Sequence, residues 1–177
     1  ESRRGEMLGF WSKVEDGTIP TRVTHNDTKI NNILFDKKGG VLCAIDLDTV
    51  MNSTSLNDFG DAIRSYANTG EEDDRDLSRV GMSLDMFRAY TEGYLSQRAK
   101  QLTEPEIDNL AFSARYITYE QVLRFLMDYI DGDTYYKIKY PEHNLVRTHA
   151  QYELLRSMEK QYGTMCDIVR ETVAKYR

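Results

Sequence analysis

Between Thr24 and Asp48 the chain sets out polar residues at intervals that suit phosphoryl chemistry. The run Thr24-His25-Asn26-Asp27-Thr28-Lys29-Ile30-Asn31-Asn32 contains His-x-Asp-x-x-x-x-Asn, and an apolar strand–turn–strand then leads into Ile45-Asp46-Leu47-Asp48. Moving a phosphoryl group onto a hydroxyl needs a carboxylate to accept the hydroxyl proton, and Asp27 is placed for that. It also needs hard oxygen ligands for Mg2+, which bridges the phosphates of a nucleotide such as ATP. Asn32 offers an amide oxygen from the far end of the same loop, and Asp46 offers a carboxylate from the end of the next hairpin. His25 stands at the base of the loop, where an imidazole can hold backbone carbonyls. Lys29 can turn its ammonium toward the transferring phosphate and so contact the nucleotide. Each residue also has a plain structural use: Asp27 as a turn former or cap, Asn31-Asn32 as a turn, Asp46 and Asp48 as a solvated pair. The joint spacing, which is that of a kinase catalytic loop and its metal-binding aspartate, favours the chemical reading.

These side chains need a frame. Residues 22–25, 33–36 and 41–46 are short and apolar-rich, and Lys37-Lys38-Gly39-Gly40 predicts a β-hairpin between the last two. Before them, Met7, Phe10, Trp11 and Val14 fall at helical spacing. After Ser55 the pattern is helical. Asn57-Asp58 can cap a helix running to Tyr66, and Leu84, Phe87, Tyr90 and Tyr94 form a second stripe. Phe112, Tyr116, Tyr119, Leu123, Leu126 and Ile130 step by helical intervals as far as the breaker Asp131-Gly132-Asp133. A last long helix holds Tyr152, Leu155, Met158, Tyr162, Met165, Val169 and Val173, and the acidic run Glu71–Asp76 reads as a solvated loop. The expected fold class is α+β, mostly α: a small β element carrying the chemistry, then a helical bundle as scaffold, in a single domain over residues 1–177.

Composition sets the limits. The 177 residues suit one domain with a sizeable core. The formal charge of −6 argues against nucleic acid or an anionic membrane as the main partner. The longest apolar run, Val41–Ile45, is far too short to span a bilayer. Cys43 and Cys166 have no metal-ligand spacing, and two cysteines make no disulfide framework, so a reducing, cytoplasmic setting without a leader is expected.

The motif region resembles the C-terminal lobe of the aminoglycoside phosphotransferase and choline kinase-like family of small-molecule kinases. Val23–Leu34, Ile45–Met51 and Asp58-Phe59-Gly60-Asp61-Ala62-Ile63-Arg64 are similar above all to the N-acetylhexosamine 1-kinases. The resemblance implies a kinase-like C-lobe in which Asp27 is the catalytic base and meets the acceptor hydroxyl, while Asn32 and Asp46 hold Mg2+. Lys29 matches a lysine that touches the γ-phosphate in Ser/Thr protein kinases. The family's usual His-Gly-Asp stands here as His25-Asn26-Asp27. It further implies a sugar pocket lined by Arg124, Tyr135 and Tyr136, with Asp48 a further oxygen donor toward substrate or a second metal. The competing reading pairs Arg124 with Asp128 and leaves the tyrosines as partly buried amphipaths. Asp58 and Asp61 fit a structural charge cluster at a helix N-terminus that steadies the loop.

A kinase of this kind also needs a Gly-rich phosphate-covering loop and a strand lysine. Neither pattern occurs, and 24 residues precede His25, so the N-terminal nucleotide-binding lobe of the same protein is expected to lie outside this chain. The implied activity is transfer of the ATP γ-phosphate to a small-molecule hydroxyl, foremost the anomeric hydroxyl of an N-acetylhexosamine, with the isolated lobe inactive or nearly so. Choline, homoserine and aminoglycosides are alternative acceptors, and a non-catalytic kinase-like binding module is the alternative class.

Overall fold

The computed structural model describes residues 2–177. Among them five helices, α1 (Arg4–Glu15), α2 (Ser55–Tyr66), α3 (Leu84–Arg98), α4 (Glu104–Ile130) and α5 (His143–Tyr176), accompany four short strands, β1 (Arg22–Thr24), β2 (Ile33–Phe35), β3 (Val41–Ala44) and β4 (Met51–Ser53). The fold is α+β and mostly α, as the patterning implies.

The strands form two separate two-stranded antiparallel ladders. β2 pairs with β3 through the Lys37–Gly40 turn, which gives the expected hairpin. β4 is an addition that the sequence pattern concealed, because Met-Asn-Ser does not read as a strand. It pairs Thr24 with Met51 and Arg22 with Ser53, returning the chain to where β1 left it. The catalytic-type loop is therefore closed on itself by two ladders.

Helix α4 is the central post. Its buried face is Ile107, Leu110, Ala111, Ala114, Thr118, Val122 and Phe125. The expected stripe holds only in part: Phe112 is buried, but Leu123 and Ile130 are exposed. α4 packs between α2 and α5, and close helix approach favours small residues there over the large ones of the expected stripe. The approach is tightest at Gly60 of α2, where a Cβ would lie 2.4 Å from the Ser113 carbonyl oxygen. Phe112 and Tyr116 instead serve α1, their rings packing at a tilt against Phe10.

Helix α2 begins three residues before the expected cap. Thr54 Oγ1 accepts from Leu56 N–H, which leaves Asp58 in the first turn free to face the loop. α4 opens with a capping box of Thr103 and Glu106. Glu106 is fully buried and also binds Arg22 of β1 at 2.6 and 2.7 Å and Ser55 Oγ at 2.8 Å. Burial works against its charge, but the Arg22 guanidinium and the Thr103 and Ser55 donors outweigh it and hold the carboxyl down to about 2. One carboxylate thus pins a strand and two helix starts.

The acidic run is less solvated than its composition suggests. Glu72 pairs with Arg64, Asp73 with Lys139 and the buried His143, and Asp74 with Arg79. No described helix is long and apolar enough to cross a membrane, and both cysteines are free.

Candidate active site

The Asp27 loop is held from below by α2. The Asp58 carboxylate accepts His25 N–H at 2.9 Å and Asn26 N–H at 2.7 Å, one on each oxygen, and the Asp58 carbonyl accepts Thr28 Oγ1–H. This is the steadying role foreseen for a carboxylate at that helix start. Asp61 acts elsewhere, in an ion pair with Arg64. Asn26 has φ +62, the left-handed region where glycine is the default and asparagine the next best residue. That backbone requirement explains why Asn26 can replace the glycine of the usual motif. Its side chain then ties the loop down, donating to Thr49 O at 3.0 Å.

Asp27 projects from this fixed turn. Its Oδ2 accepts from Lys29 Nζ at 2.7 Å and from Asn32 Nδ2 at 2.9 Å, and Asn32 Nδ2 also reaches the Asp27 carbonyl. Asn32 is buried in the 310 turn Ile30–Asn32, and its backbone oxygen accepts Ile45 N–H at 2.9 Å. The Ile45 carbonyl in turn accepts from His25 Nε2 at 3.0 Å, which requires a hydrogen on Nε2. So His25 holds a carbonyl, as expected, but that of the neighbouring hairpin. Its Nδ1 is buried without a partner. Ile45 is gripped from both sides, and this fixes the next residue, Asp46, beside Asn32.

Asp46 also has φ +62 and caps the short 310 turn Leu47–Thr49. The carboxylates of Asp46 and Asp48 are exposed and make no hydrogen bond, and Asn32 commits only its amide nitrogen. An uncommitted amide oxygen on Asn32 and an exposed carboxylate on Asp46, the residue that follows the Asn32–Ile45 backbone bond, are the donor types a Mg2+ takes alongside nucleotide phosphates and water. No cluster of three or more His, Cys, Asp or Glu able to hold an ion exists among the described residues, so an all-protein metal cage is not what this site offers.

On the other side of Asp27 lies a cavity of about 600 Å3. Asp27 and Lys29 line one end, and Arg124, Tyr135 and Tyr136 line another wall. The site thus divides in two: Asp27, Lys29, Arg124, Tyr135 and Tyr136 share the cavity, whereas His25, Asn32, Asp46 and Asp48 do not line it. Asp48 sits in the exposed turn Leu47–Thr49, of which Thr49 lines the cavity and Asp48 does not.

The tyrosine wall is built by a carboxylate. Asp128 accepts the backbone N–H groups of Thr134, Tyr135 and Tyr136 at 2.8–3.0 Å and Asn144 Nδ2 at 2.8 Å. Burial opposes its charge, yet these four donors prevail and its pKa is lowered. Asp128 is therefore engaged by the loop and makes no pair with Arg124. Arg124 instead lies 5.6 Å from the Tyr136 ring centre and 5.8 Å from that of Tyr135, within cation–π range.

Several cavity residues were not singled out from sequence. Arg64 is nearly fully buried and bonds Asp61, Glu72 and Gln151. Asp61 and Arg64 three residues apart on α2 were a readable signal. Arg147 and Gln151 of α5 gave none, because a polar residue on a long helix looks solvated until the packing is known.

A model of the phosphotransferase enzyme family (APH) matches residues 3–99, a span that runs from α1 past α3 and contains the whole Asp27–Asp46 arrangement. The match, set on a kinase-like mixed fold in which the Asp27 carboxylate lines a cavity, decides the class: this chain belongs to the phosphotransferase enzyme family, kinases that act on small molecules.

Proposed function

We propose that the chain is the catalytic and acceptor-binding lobe of an ATP- and Mg2+-dependent kinase that phosphorylates the anomeric hydroxyl of an N-acetylhexosamine. The observation that carries the reading is Asp27 at one end of a cavity whose wall holds Arg124 and the Tyr135-Tyr136 pair. Aromatic faces stack on the C–H groups of a sugar ring, and a guanidinium donates to its oxygens.

In this reading the acceptor hydroxyl lies at the Asp27 carboxylate. The hydroxyl proton passes to Asp27 as the oxygen bonds to the γ-phosphorus, and the bond from that phosphorus to the β-phosphate oxygen breaks, leaving ADP and the sugar 1-phosphate. Asn32 Nδ2 orients Asp27, and Lys29 places a positive charge beside the transferring group. Asn32 Oδ1 and Asp46 would hold Mg2+, which when bound neutralises the phosphate charge. Asp48 stands nearby as a further oxygen donor on the nucleotide side.

The nucleotide-binding lobe of the same protein docks over the two ladders. What supports this is a set of uncovered apolar side chains there: Val23 is 82% exposed, and Val41 at 68% and Leu42 at 63% leave both faces of β3 open, with Leu47 and Met51 also exposed. Two-stranded ladders are marginal alone, and an apolar surface of this kind marks an interaction site. A cytoplasmic setting, where ATP is supplied and both thiols stay reduced, suits the same reading.

The test is phosphate transfer from ATP by the protein with its nucleotide lobe, measured on N-acetylglucosamine, N-acetylgalactosamine, choline and kanamycin. The N-acetyl sugars are expected to be phosphorylated, and Asp27→Ala to lower the rate about 10²–10⁴-fold. An unchanged rate in that variant would remove Asp27 from the base role. Transfer to kanamycin or choline alone would remove the sugar.

A further inference from the structure

On the cavity wall formed by α5, Arg147 and Gln151 stand one helical turn apart. Both present donors without acceptors: Arg147 Nε and Gln151 Nε2 are buried and have no hydrogen-bond partner. The Gln151 amide is not free to turn over, because its oxygen accepts from Arg64 Nη1 at 3.4 Å, which leaves the NH2 on the unpaired side. Arg147 is fixed as well. Its Nη1 donates to Asn144 Oδ1 at 2.9 Å and its guanidinium lies 5.2 Å from the Phe125 ring centre.

The charges around the cavity reinforce this. Lys29 is paired with Asp27, and Arg64 with Asp61 and Glu72. Arg147 and Arg124 make no ion pair, and Glu71 is the remaining carboxylate on the lining. Arg124 has the Glu120 carboxylate one turn away on α4, so Arg147 is the lining guanidinium without an acidic partner, and it and Gln151 bring the orphan N–H donors. A buried donor left unsatisfied costs about 1–3 kcal/mol, so such groups discriminate strongly for a ligand that supplies the acceptor.

We propose that Arg147, supported by Gln151, is the acceptor-selecting end of the cavity. It binds a carbonyl-type oxygen that the substrate carries away from its reacting hydroxyl, and it turns away a substrate presenting an ammonium group there. The proposal rests on the phosphotransfer reading and narrows its substrate class to acyl- or carboxyl-bearing acceptors. An amide carbonyl and a carboxylate share this chemistry, and the test separates them.

The experiment is calorimetric titration of N-acetylglucosamine, glucosamine in its ammonium form and glucuronate into the protein with its nucleotide lobe, in wild type and in Arg147→Met, Arg147→Lys and Gln151→Leu. Thermal melts confirm that each variant is folded. Wild type is expected to bind at least one of the two oxygen-bearing sugars about 10-fold or more tightly than glucosamine. N-acetylglucosamine ahead identifies an amide reader, and glucuronate ahead a carboxylate reader. Arg147→Met should bring the preference close to unity, and Arg147→Lys should restore part of the glucuronate preference. Glucosamine binding as tightly as the others, or a preference untouched in the folded Arg147 and Gln151 variants, overturns the assignment. So does failure of all three sugars to bind. In each of these cases transfer by the complete protein, lost on Asp27→Ala, leaves the phosphotransfer reading standing.

Discussion

Replacing Gly60 by alanine tests how the loop is held in place. A Cβ at this position would lie 2.4 Å from the Ser113 carbonyl oxygen, 2.8 Å from its carbon and 2.9 Å from Ile117 Cγ1. Two of these atoms are backbone and cannot rotate aside. Relief requires α2 and α4 to separate by about 1 Å, the gap between 2.4 Å and an ordinary carbon–oxygen contact. Alanine itself gains about 1 kcal/mol over glycine in a helix, while such overpacking costs about 3 kcal/mol, so the net effect is a loss of about 2 kcal/mol. Gly93 in α3 provides the control, since a Cβ there meets nothing within 4 Å. The same substitution at Gly93 should stabilise by about 1 kcal/mol. In thermal melts the two variants should move in opposite directions, Gly60→Ala down by about 6 °C and Gly93→Ala up by about 3 °C. Because α2 also carries Asp58, the shift should reach the Asp27 loop and lower phosphate transfer about 10²-fold. A Gly60→Ala protein as stable as wild type would show that the helix contact is soft and that α2 does not set the loop's position.

Three further outcomes are expected. The Glu106 carboxyl is held at about 2, below its ordinary 4.5, so its contribution is whole above about pH 4.5 and drains as the pH falls toward 2. Glu106→Gln should flatten that acid limb in urea titrations and cost about 2 kcal/mol at neutral pH, allowing for solvent screening on the Arg22 side. Asn26→Gly should keep the fold within about 1 kcal/mol, since glycine accepts φ +62, whereas Asn26→Val should cost more than 1 kcal/mol in chemical denaturation. Asp128→Ala should release the Thr134–Tyr136 segment, seen as faster amide exchange at those three residues with the global melt much less affected.

The Asp27 loop was legible because its pattern is local. Asp27, Asn32 and the hairpin leading to Asp46 sit within twenty residues, and their ladder follows from a glycine turn between apolar strands. β4 was not legible, because Met51-Asn52-Ser53 becomes a strand only through its pairing with β1. The α4 stripe misled in its second half for a related reason. Periodicity reveals an amphipathic face, but which face is buried depends on neighbours, and here α2 and α5 select Thr118, Val122 and Phe125 over Leu123 and Ile130. The cavity's far wall was the least accessible. Arg64 on α2 lies more than eighty residues before Arg147 and Gln151 on α5, and no spacing rule links them.

The grip of Asp128 on the Thr134–Tyr136 segment acts through main-chain N–H groups alone. Such a hold is indifferent to what those residues carry. Side chains at 134–136 can therefore be exchanged over generations, or by design, while the scaffold that displays them keeps its shape. A single carboxylate separates the architecture of this cavity wall from its chemical identity, and new side chains can arise there without the loop having to be reinvented.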